Sequence, residues 1–341
     1  MVFRNLNCLP IGALALVALL GGCSNGSGSS LPAASGSMAR AELSPALHKN
    51  KSGGGIVYTT QMYGNDVSVY QRQGQSGLNL GFLKNYMGLS EPQGAMTTQN
   101  GYLYVANEGG NNVFIYKAKK KNLKGPTSSL TDYSELPVNV ALTPDRNLVA
   151  VSNKSTTSGA TGSVSVYLNR QVTPNRILTY GAASVDGMGV AVDHQGNCYW
   201  SFNGASGGSI VEFTGCNEPG TLLVSGLQLA GGLAFDQSGN LYYIDTEQKT
   251  IYRCQKTSKC TQYVVGGSSG SVPDIEEPLN MNFDYHSKDL WVADLDGYVC
   301  GIPVTPGKGH GNAKKQPPPI TCTLSVGGSS SPPFGVAPEP L

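Results

Sequence analysis

One short pattern recurs six times along the 341-residue chain, and it constrains the fold more than any other feature. Its clearest copy spans residues 232–253: an apolar run, the turn sequence Asp-x-x-Gly-Asn, an alternating apolar strand, a polar turn and another strand. A repeat of 43 to 55 residues that holds several short strands is typical of the blades of a β-propeller. The residues that occupy the first position of the repeat are Gly94, Asn139, Gly189, Gly232, Asn280 and Gly335.

Each repeat has the same internal order. An inner strand such as 190–192 is followed by a turn such as 193–197, in which Gly and Asn are expected to supply positive φ. A strand of aromatic and β-branched residues follows, as in 241–244, and then a third strand such as 210–213. A less regular outer strand completes each predicted blade.

The two ends of the chain indicate how the ring closes. Residues 55–60 and 66–70 match the second and third strands of a blade, but no inner strand precedes them. Residues 334–337 match an inner strand with nothing after it. The sequence therefore predicts an all-β, six-bladed β-propeller whose C-terminal strand closes the first blade and removes an open sheet edge. An open β-sandwich of repeated hairpins is the alternative, and it fits the period poorly.

Composition agrees with this architecture. The chain has 45 Gly and 20 Pro, and 13% of its residues are charged, which suits many short strands joined by tight turns. Its net charge of +1 argues against an electrostatic surface for nucleic acid. We therefore expect no nucleic-acid partner.

The first residues resemble an export signal. Arg4 precedes an apolar run over 9–20, which ends in Gly21-Gly22-Cys23. This ending resembles the lipobox of bacterial lipoproteins, in which the Cys is lipidated and becomes the mature N-terminus, although Gly21 stands where that motif more often has Ala, Ser or Thr. A plain secretory signal with an incidental Cys23 is the alternative.

Three segments follow from this interpretation. Residues 1–22 are the predicted lipoprotein signal peptide, 23–53 a flexible Gly/Ser-rich tether, and 54–341 the propeller. The expected location is the bacterial cell envelope, with a lipid anchor at Cys23, facing the periplasm or the cell surface.

The repeats resemble NHL-type repeats, of the form Pro-x-Gly-Val-Ala-x-Asp-x-x-Gly-Asn-Leu-Tyr-Val-Ala-Asp. The resemblance covers nearly all of 54–341 and is clearest over 184–226 and 227–267. NHL-type propellers include both binding modules and enzymes, so the fold alone does not assign a function.

Six cysteines fall within the predicted propeller, while Cys8 lies in the signal. An even number in an exported chain favours disulfides. A metal site is the alternative, but there is no Cys-x-x-Cys or Cys/His cluster. The pairs that lie close in the predicted blades are Cys198–Cys216, Cys254–Cys260 and Cys300–Cys322.

At family level the chain also resembles the metal-dependent lactonases of the senescence-marker (gluconolactonase) group. Val185-Asp186-Gly187-Met188 is similar to that family's Pro-Asp-Gly-Met with its metal-binding Asp, and Asn139 to its Asn-Gly ligand motif. The family's ligands stand five residues before the residue that opens the turn, and here no carboxylate occupies those positions. They hold Gln93, Val138, Met188, Gly231, Leu279 and Phe334. A divalent ion takes several hard oxygen ligands, so we expect neither a metal nor another cofactor.

Antibiotic-lactone lyases use a similar ring with a catalytic His. We expect the four histidines here to be exposed to solvent rather than catalytic; they are His48, His194, His286 and His310. Polar residues that flank the inner strands mark a candidate binding mouth of the channel. They are Glu91, Asn139, Asp186, Glu277 and Asn280.

The favoured function is that of an envelope-anchored, non-catalytic binding or scaffold module. Its ligand or protein partner is not identified by the sequence, and the molecule is expected to be monomeric. The alternative is a lactonase- or lyase-type enzyme that uses the channel mouth. A third hypothesis is a purely structural ring that organises an envelope complex.

Overall fold

A computed structural model describes residues 55–74, 78–119, 122–132, 135–154, 161–181, 185–266, 275–284, 288–304 and 320–339. The predicted signal peptide and tether lie outside the described residues, as do Cys23, His286 and His310. The described residues form 24 strands in six antiparallel four-stranded sheets. The predicted all-β, six-bladed propeller is therefore confirmed. No helix in this part of the chain is long and apolar enough to span a bilayer.

Three blades make up the first half of the ring, and the strands of each run in order from the channel outward. Blade 1 consists of β24 (Pro333–Pro338), β1 (Ile56–Gln61), β2 (Asp66–Gln73) and β3 (Asn79–Met87). Blade 2 consists of β4 (Pro92–Thr97), β5 (Tyr102–Asn107), β6 (Asn112–Lys119) and β7 (Asn122–Thr131). Blade 3 consists of β8 (Leu136–Leu142), β9 (Leu148–Lys154), β10 (Ser163–Leu168) and β11 (Arg176–Leu178).

The second half repeats this order. Blade 4 consists of β12 (Asp186–Val192), β13 (Cys198–Gly204), β14 (Gly207–Phe213) and β15 (Thr221–Leu227). Blade 5 consists of β16 (Ala230–Phe235), β17 (Leu241–Asp245), β18 (Thr250–Gln255) and β19 (Ser258–Val265). Blade 6 consists of β20 (Pro278–Phe283), β21 (Asp289–Asp294), β22 (Tyr298–Pro303) and β23 (Thr321–Leu324). Short 3-10 helices cover Glu108–Gly110, Thr214–Cys216 and Gly328–Ser330.

The C-terminal strand closes the ring as predicted. β24 pairs with β1 in antiparallel register, from Val57 opposite Pro338 to Gln61 opposite Pro333. Just beyond the strand, the backbone N–H of Glu339 donates to the carbonyl of Ile56 at 2.7 Å. Blade 1 is thus assembled from both ends of the described chain.

The apolar core lies between the blades. The buried apolar side chains form six clusters, and each cluster joins two neighbouring blades. The cluster between blades 6 and 1 contains Trp291, Val336 and Tyr70, all at most 1% exposed. The interface between blades 6 and 1 is therefore packed like the other interfaces between blades. Burial of apolar side chains in these interfaces is the main favourable contribution to folding.

A buried ion pair adds to this closing interface. Arg72 of β2 is 6% exposed, and its Nη1 lies 3.2 Å from Asp284 Oδ2 while its Nη2 contacts Asp289. Its guanidinium carbon also lies 5.2 Å from the centre of the Trp291 ring. One cation in blade 1 thus holds two carboxylates and one aromatic ring of blade 6.

The Asp-x-x-Gly-Asn turns confirm the role predicted for Gly but not the one predicted for Asn. Gly196 and Gly239 have positive φ, at 82° and 75°, but the Asn that follows each of them does not. Instead Asn240 donates from its side chain to Asp236 Oδ2 at 2.7 Å, and its backbone N–H donates to Oδ1 at 2.8 Å. The expectation that Asn supplies positive φ was wrong: its amide binds the Asp that opens the turn.

All three predicted disulfides are present, as Cys198–Cys216, Cys254–Cys260 and Cys300–Cys322. The second and third join residues that lie directly opposite each other on paired strands. In the first, Cys216 lies in the 3-10 helix just after β14 rather than on that strand. Three bridges are typical of a protein that folds in an oxidising, extracytoplasmic environment.

Candidate functional site

The six aligned repeat positions lie on the six inner strands, where neighbouring blades come closest. A Cβ on Gly94 would lie 2.9 Å from Asn139 Cα, and one on Gly189 would lie 2.8 Å from Gly232 Cα. Only glycine permits such an approach of one backbone to the next. The six repeat positions therefore form a ring of close backbone contacts around the central channel.

Each inner strand carries a β-bulge at this ring. The register with the second strand shifts there in all six blades, for example between Gly187 and Val190 and between Ala230 and Leu233. A bulge bends and twists its strand locally. Its repetition shows that the ring is a regular feature of this fold.

Two of the six ring positions hold asparagine instead of glycine, and these two residues meet. Asn139 Nδ2 donates to Asn280 Oδ1 at 3.1 Å. The two side chains belong to blades 3 and 6, which lie opposite each other in a ring of six, so the hydrogen bond crosses the channel. Each Oδ1 also accepts the following backbone N–H, at 2.6 Å for Asn139 and 2.9 Å for Asn280, which fixes both amides.

A cavity of about 410 Å³ occupies the channel beside this amide bridge. It lies between the C-terminal ends of the inner strands of blades 2 to 6 and the turns that follow them, and we call this side the turn end. Its volume lies within the range of small-molecule sites. Its apolar walls are formed by Met96, Leu142, Val192, Phe235, Met281 and Phe283.

The two carboxylates that line the cavity are held by their own turns. Asp236 accepts hydrogen bonds from the backbone of Ser238 and from both nitrogens of Asn240. Asp284 accepts the backbone N–H of Lys288 at 2.8 Å and is paired with Arg72. Asp236 also lies 3.9 Å from Arg253 Nη2. Both carboxylates are buried, at 5% and 1% exposed, so each is held by its turn and an arginine rather than presented to the cavity.

The remaining polar groups are neutral amides, hydroxyls and one imidazole. Asn282 is half-buried, and its Nδ2 donates to the carbonyl of Ala95 at 3.3 Å. Thr97 donates to the carbonyl of Pro338 and so links the inner strands of blades 2 and 1. Gln99 and His194 are exposed at the rim.

The five predicted channel-mouth residues lie in three different settings. Asn139 and Asn280 come together in the bridge. Glu91 and Glu277 are exposed in the loops before β4 and β20, where the backbone N–H of Glu91 donates to Asn65 and that of Glu277 to Asp294. Asp186 is half-buried at the start of β12, opposite Asn203.

The cavity at the turn end was not among the sites predicted from the sequence. The predicted mouth residues lie at the repeat position or three residues before it, and of these only Asn139 lines the cavity, whose other lining residues follow the repeat position or precede the next strand. Continuing the same alignment by three residues reaches a set that lines the cavity: Thr97, Leu142, Val192, Phe235 and Phe283. The repeat alignment could therefore have identified the cavity residues, which lie C-terminal to the aligned position rather than N-terminal to it.

One buried acid lies near the opposite end of the inner strands. Glu108 is 5% exposed, and its carboxylate accepts a hydrogen bond from Gln93 and lies 3.5 Å from Lys154 Nζ. Burial raises the pKa of Glu108, and the positive charge of Lys154 opposes this shift. These contacts tie blade 2 to blade 3, and they leave the carboxylate paired on both sides.

The residues that match the lactonase motif do not fit a divalent ion. Asn139 Oδ1 already accepts the N–H of Val140, and its Nδ2 is bonded to Asn280. Within the described ranges, no three His, Cys, Asp or Glu side chains are grouped so as to hold a metal. These contacts therefore support no metal-assisted reaction at Asn139 or Asp186.

Solved structures with a similar fold include a nidogen/laminin complex. It is 12% identical over 84% of this chain and 98% of the matched chain, with a TM-score of 0.60. A luciferin-regenerating enzyme is 16% identical over 69% of this chain and 76% of its own, with a TM-score of 0.47. Regucalcin from Agrobacterium tumefaciens str. C58, described as a calcium-binding protein, is 12% identical over 62% and 70%, with a TM-score of 0.46. At these identities the similarity concerns the fold alone.

Comparison with protein-family models finds no match, and comparison with curated protein sequences finds none either. The NHL-type resemblance of the repeats therefore stays a prediction.

Proposed function

We propose that this protein is a non-catalytic binding module of the bacterial cell envelope, and that its ligand occupies the channel. The observation that supports this proposal is the state of the cavity carboxylates. Asp236 and Asp284 are buried, and their carboxylates take part in structural hydrogen bonds and in ion pairs with Arg253 and Arg72. The cavity therefore offers shape and apolar surface rather than a free acid or base.

The imidazole at the rim does not change this conclusion. A catalytic His is held within hydrogen-bond reach of the group it activates and is oriented by a third residue. His194 is exposed and makes no hydrogen bond to another described residue. Its neighbour Asp193 binds Asn197 and Tyr199, so it is not available to orient the ring.

The proposed location rests on the N-terminal sequence and the disulfides. Three disulfides support folding outside the cytoplasm. We propose that Cys23 carries the lipid anchor and that 24–53 tethers the propeller to the membrane. Full-length protein expressed with its own N-terminus is expected to partition into detergent, and the Cys23→Ser variant into the aqueous phase. Equal partitioning of the two proteins would contradict the anchor.

The nidogen/laminin structure offers a limited parallel. That structure is a complex of proteins, and the matched chain is covered almost entirely by this fold. At 12% identity the similarity shows that this fold occurs in a protein complex, and it assigns no role to this chain.

A turnover assay tests the proposal against the lactonase or lyase alternative. Purified protein is incubated with gluconolactone and with an N-acyl homoserine lactone, each with added Ca²⁺ or Zn²⁺. We expect no hydrolysis above that in buffer. Hydrolysis that is lost in His194→Ala or in Asp186→Asn, with the fold retained, would identify an enzyme and overturn the proposal.

A further inference from the structure

We propose that the cavity at the turn end binds an uncharged small molecule that has a flat apolar body and one hydrogen-bond donor. This inference rests on the proposed binding function and specifies the chemical class of its ligand. Four features of the cavity support it: the charge of its lining, its apolar walls, one polar atom and its closed floor.

The lining presents no free charge. The carboxylates of Asp236 and Asp284 are 5% and 1% exposed, and each is paired with an arginine, Arg253 at 3.9 Å and Arg72 at 3.2 Å. Transfer of an ionised ligand group from water into such a site is unfavourable unless an opposite charge meets it. Since the described lining offers no such partner, the cavity selects against charged molecules.

The walls are apolar and partly open. Four neighbouring blades each contribute one apolar residue at the same position of the inner strand, namely Leu142, Val192, Phe235 and Phe283. Of these, Val192, Phe235 and Phe283 are only partly buried, so they retain surface that a ligand can cover. Covering aromatic and aliphatic surface is the main source of affinity in small-molecule sites. Two aromatic rings favour a flat partner.

One side-chain oxygen can serve as a polar anchor. Asn282 directly precedes Phe283 on β20 and lines the cavity. Its Nδ2 donates to Ala95, while its Oδ1 accepts no hydrogen bond from any described residue. A carbonyl oxygen in a partly apolar cavity is matched by a hydroxyl or N–H donor on the ligand.

The amide bridge limits the depth of the cavity. The hydrogen bond between Asn139 and Asn280 crosses the channel at the cavity floor. A ligand therefore enters from the turn end and is limited by a volume of about 410 Å³. A molecule of two fused aromatic rings fits within this volume.

Three naphthalene probes that differ in charge test the proposal. Full-length protein is titrated at pH 7 with 2-naphthol, 2-naphthoate and 2-(aminomethyl)naphthalene, and binding is measured by calorimetry. We expect 2-naphthol to bind at one site, at least about tenfold more tightly than either charged probe, which corresponds to roughly 1.4 kcal/mol or more.

Two variants locate the site. Val192→Trp fills the cavity and is expected to weaken 2-naphthol binding at least tenfold. Val172→Trp, at an outer position that is 48% exposed, is the matched control and should bind like the unsubstituted protein. If Val192→Trp does not fold, as judged by its melting curve, Val192→Leu replaces it, with an expected loss of about threefold.

A third variant tests the anchor. Asn282→Leu removes the free acceptor at similar volume, so it should weaken 2-naphthol about five- to tenfold and leave the binding of naphthalene itself unchanged. An equal loss for both probes would show that Asn282 shapes the cavity without accepting a ligand hydrogen bond, and that part of the proposal would fail.

The remaining outcomes are decisive in the other direction. Equal binding of charged and neutral probes, equal effects of the two Trp substitutions, or no binding of any probe would each overturn this inference. None of these experiments measures turnover. The proposed non-catalytic function is tested separately, by the lactone assay.

Discussion

The buried carboxylates of this propeller differ in how many of their oxygens accept hydrogen bonds. Asp236 and Asp245 have their oxygens occupied by backbone and side-chain donors. Asp132 is different. It is 1% exposed, and its Oδ1 accepts from Ser165 at 2.7 Å, but its Oδ2 has no partner within the described residues. Burial therefore raises the pKa of Asp132 to about 6.

The raised pKa of Asp132 predicts a pH-dependent stability. The folded protein binds this proton up to about pH 6, whereas the unfolded chain releases it near the ordinary value of 3.8. Stability from this group is therefore full below about pH 4, and about 3 kcal/mol of it is lost as the pH rises through 6. Asp132→Asn removes this loss. The variant should melt at a higher temperature than the unsubstituted protein at pH 8, and at a similar temperature at pH 4.

A melting curve for Asp132→Asn that lies at or below that of the unsubstituted protein at pH 8 would contradict this account. The comparison at pH 4 is the control, because there the carboxyl of Asp132 is largely protonated in the folded protein.

The sequence identified the two residues of the amide bridge without indicating that they bond to each other. Asn139 and Asn280 were selected as candidate ligand-binding residues, and the structure shows them bonded to each other. That pairing depends on blades 3 and 6 lying opposite each other. A repeat alignment counts the blades but does not show which side chains reach across the channel.

The inner strand is the element that carries both the fold and the site. Its repeat position is glycine in four blades because the adjacent backbone leaves no room for a Cβ. The same strand ends in the residues that line the cavity. The periodicity of the sequence was therefore enough to find these strands. The β-bulge in each one was not predicted, since it is a shift in register with the second strand that the spacing of the repeats does not show.

Gly232→Ala tests the close approach of the inner strands. The added Cβ would lie 2.7 Å from Asn280 Oδ1 and 3.0 Å from Asn280 Cα. The contact with Cα cannot be relieved by rotating a side chain, because it is a contact with the backbone. We expect a loss of about 1–3 kcal/mol in the free energy of unfolding, measured by urea denaturation. Gly204→Ala is the matched control, because its Cβ would meet only Val185 Cγ1 at 3.3 Å. Equal stability of the two variants would show that the ring does not require glycine.

At the scale of the whole molecule, the ring depends on the contact between its first and last blades. The sequence predicted this closure from two incomplete repeats at its ends. It did not predict the buried Arg72 that joins Asp284 and Asp289 across the same interface. Arg72 lies outside the repeat alignment, and its partners are more than 200 positions away in the chain.

Arg72→Met measures the contribution of this ion pair to closure. The substitution keeps an apolar side chain of similar length but leaves two buried carboxylates without their cation. We expect a loss of about 3–5 kcal/mol, with partial recovery in the double variant Arg72→Met/Asp289→Asn. Arg170→Met, at an exposed position, should change the stability by no more than about 0.5 kcal/mol. A loss of similar size in both single variants would argue against a specific role for Arg72.

Removal of the C-terminal strand is the most direct test of ring closure. A chain that ends at Pro332 lacks β24, whereas a control that ends at Glu339 retains it. The thermal unfolding of both is followed by circular dichroism, together with elution volume in size-exclusion chromatography. We predict that the control melts cooperatively like the full chain, and that the shorter chain aggregates or melts at a much lower temperature. A shorter chain that stays compact, with the melting temperature of the control, would contradict closure by β24.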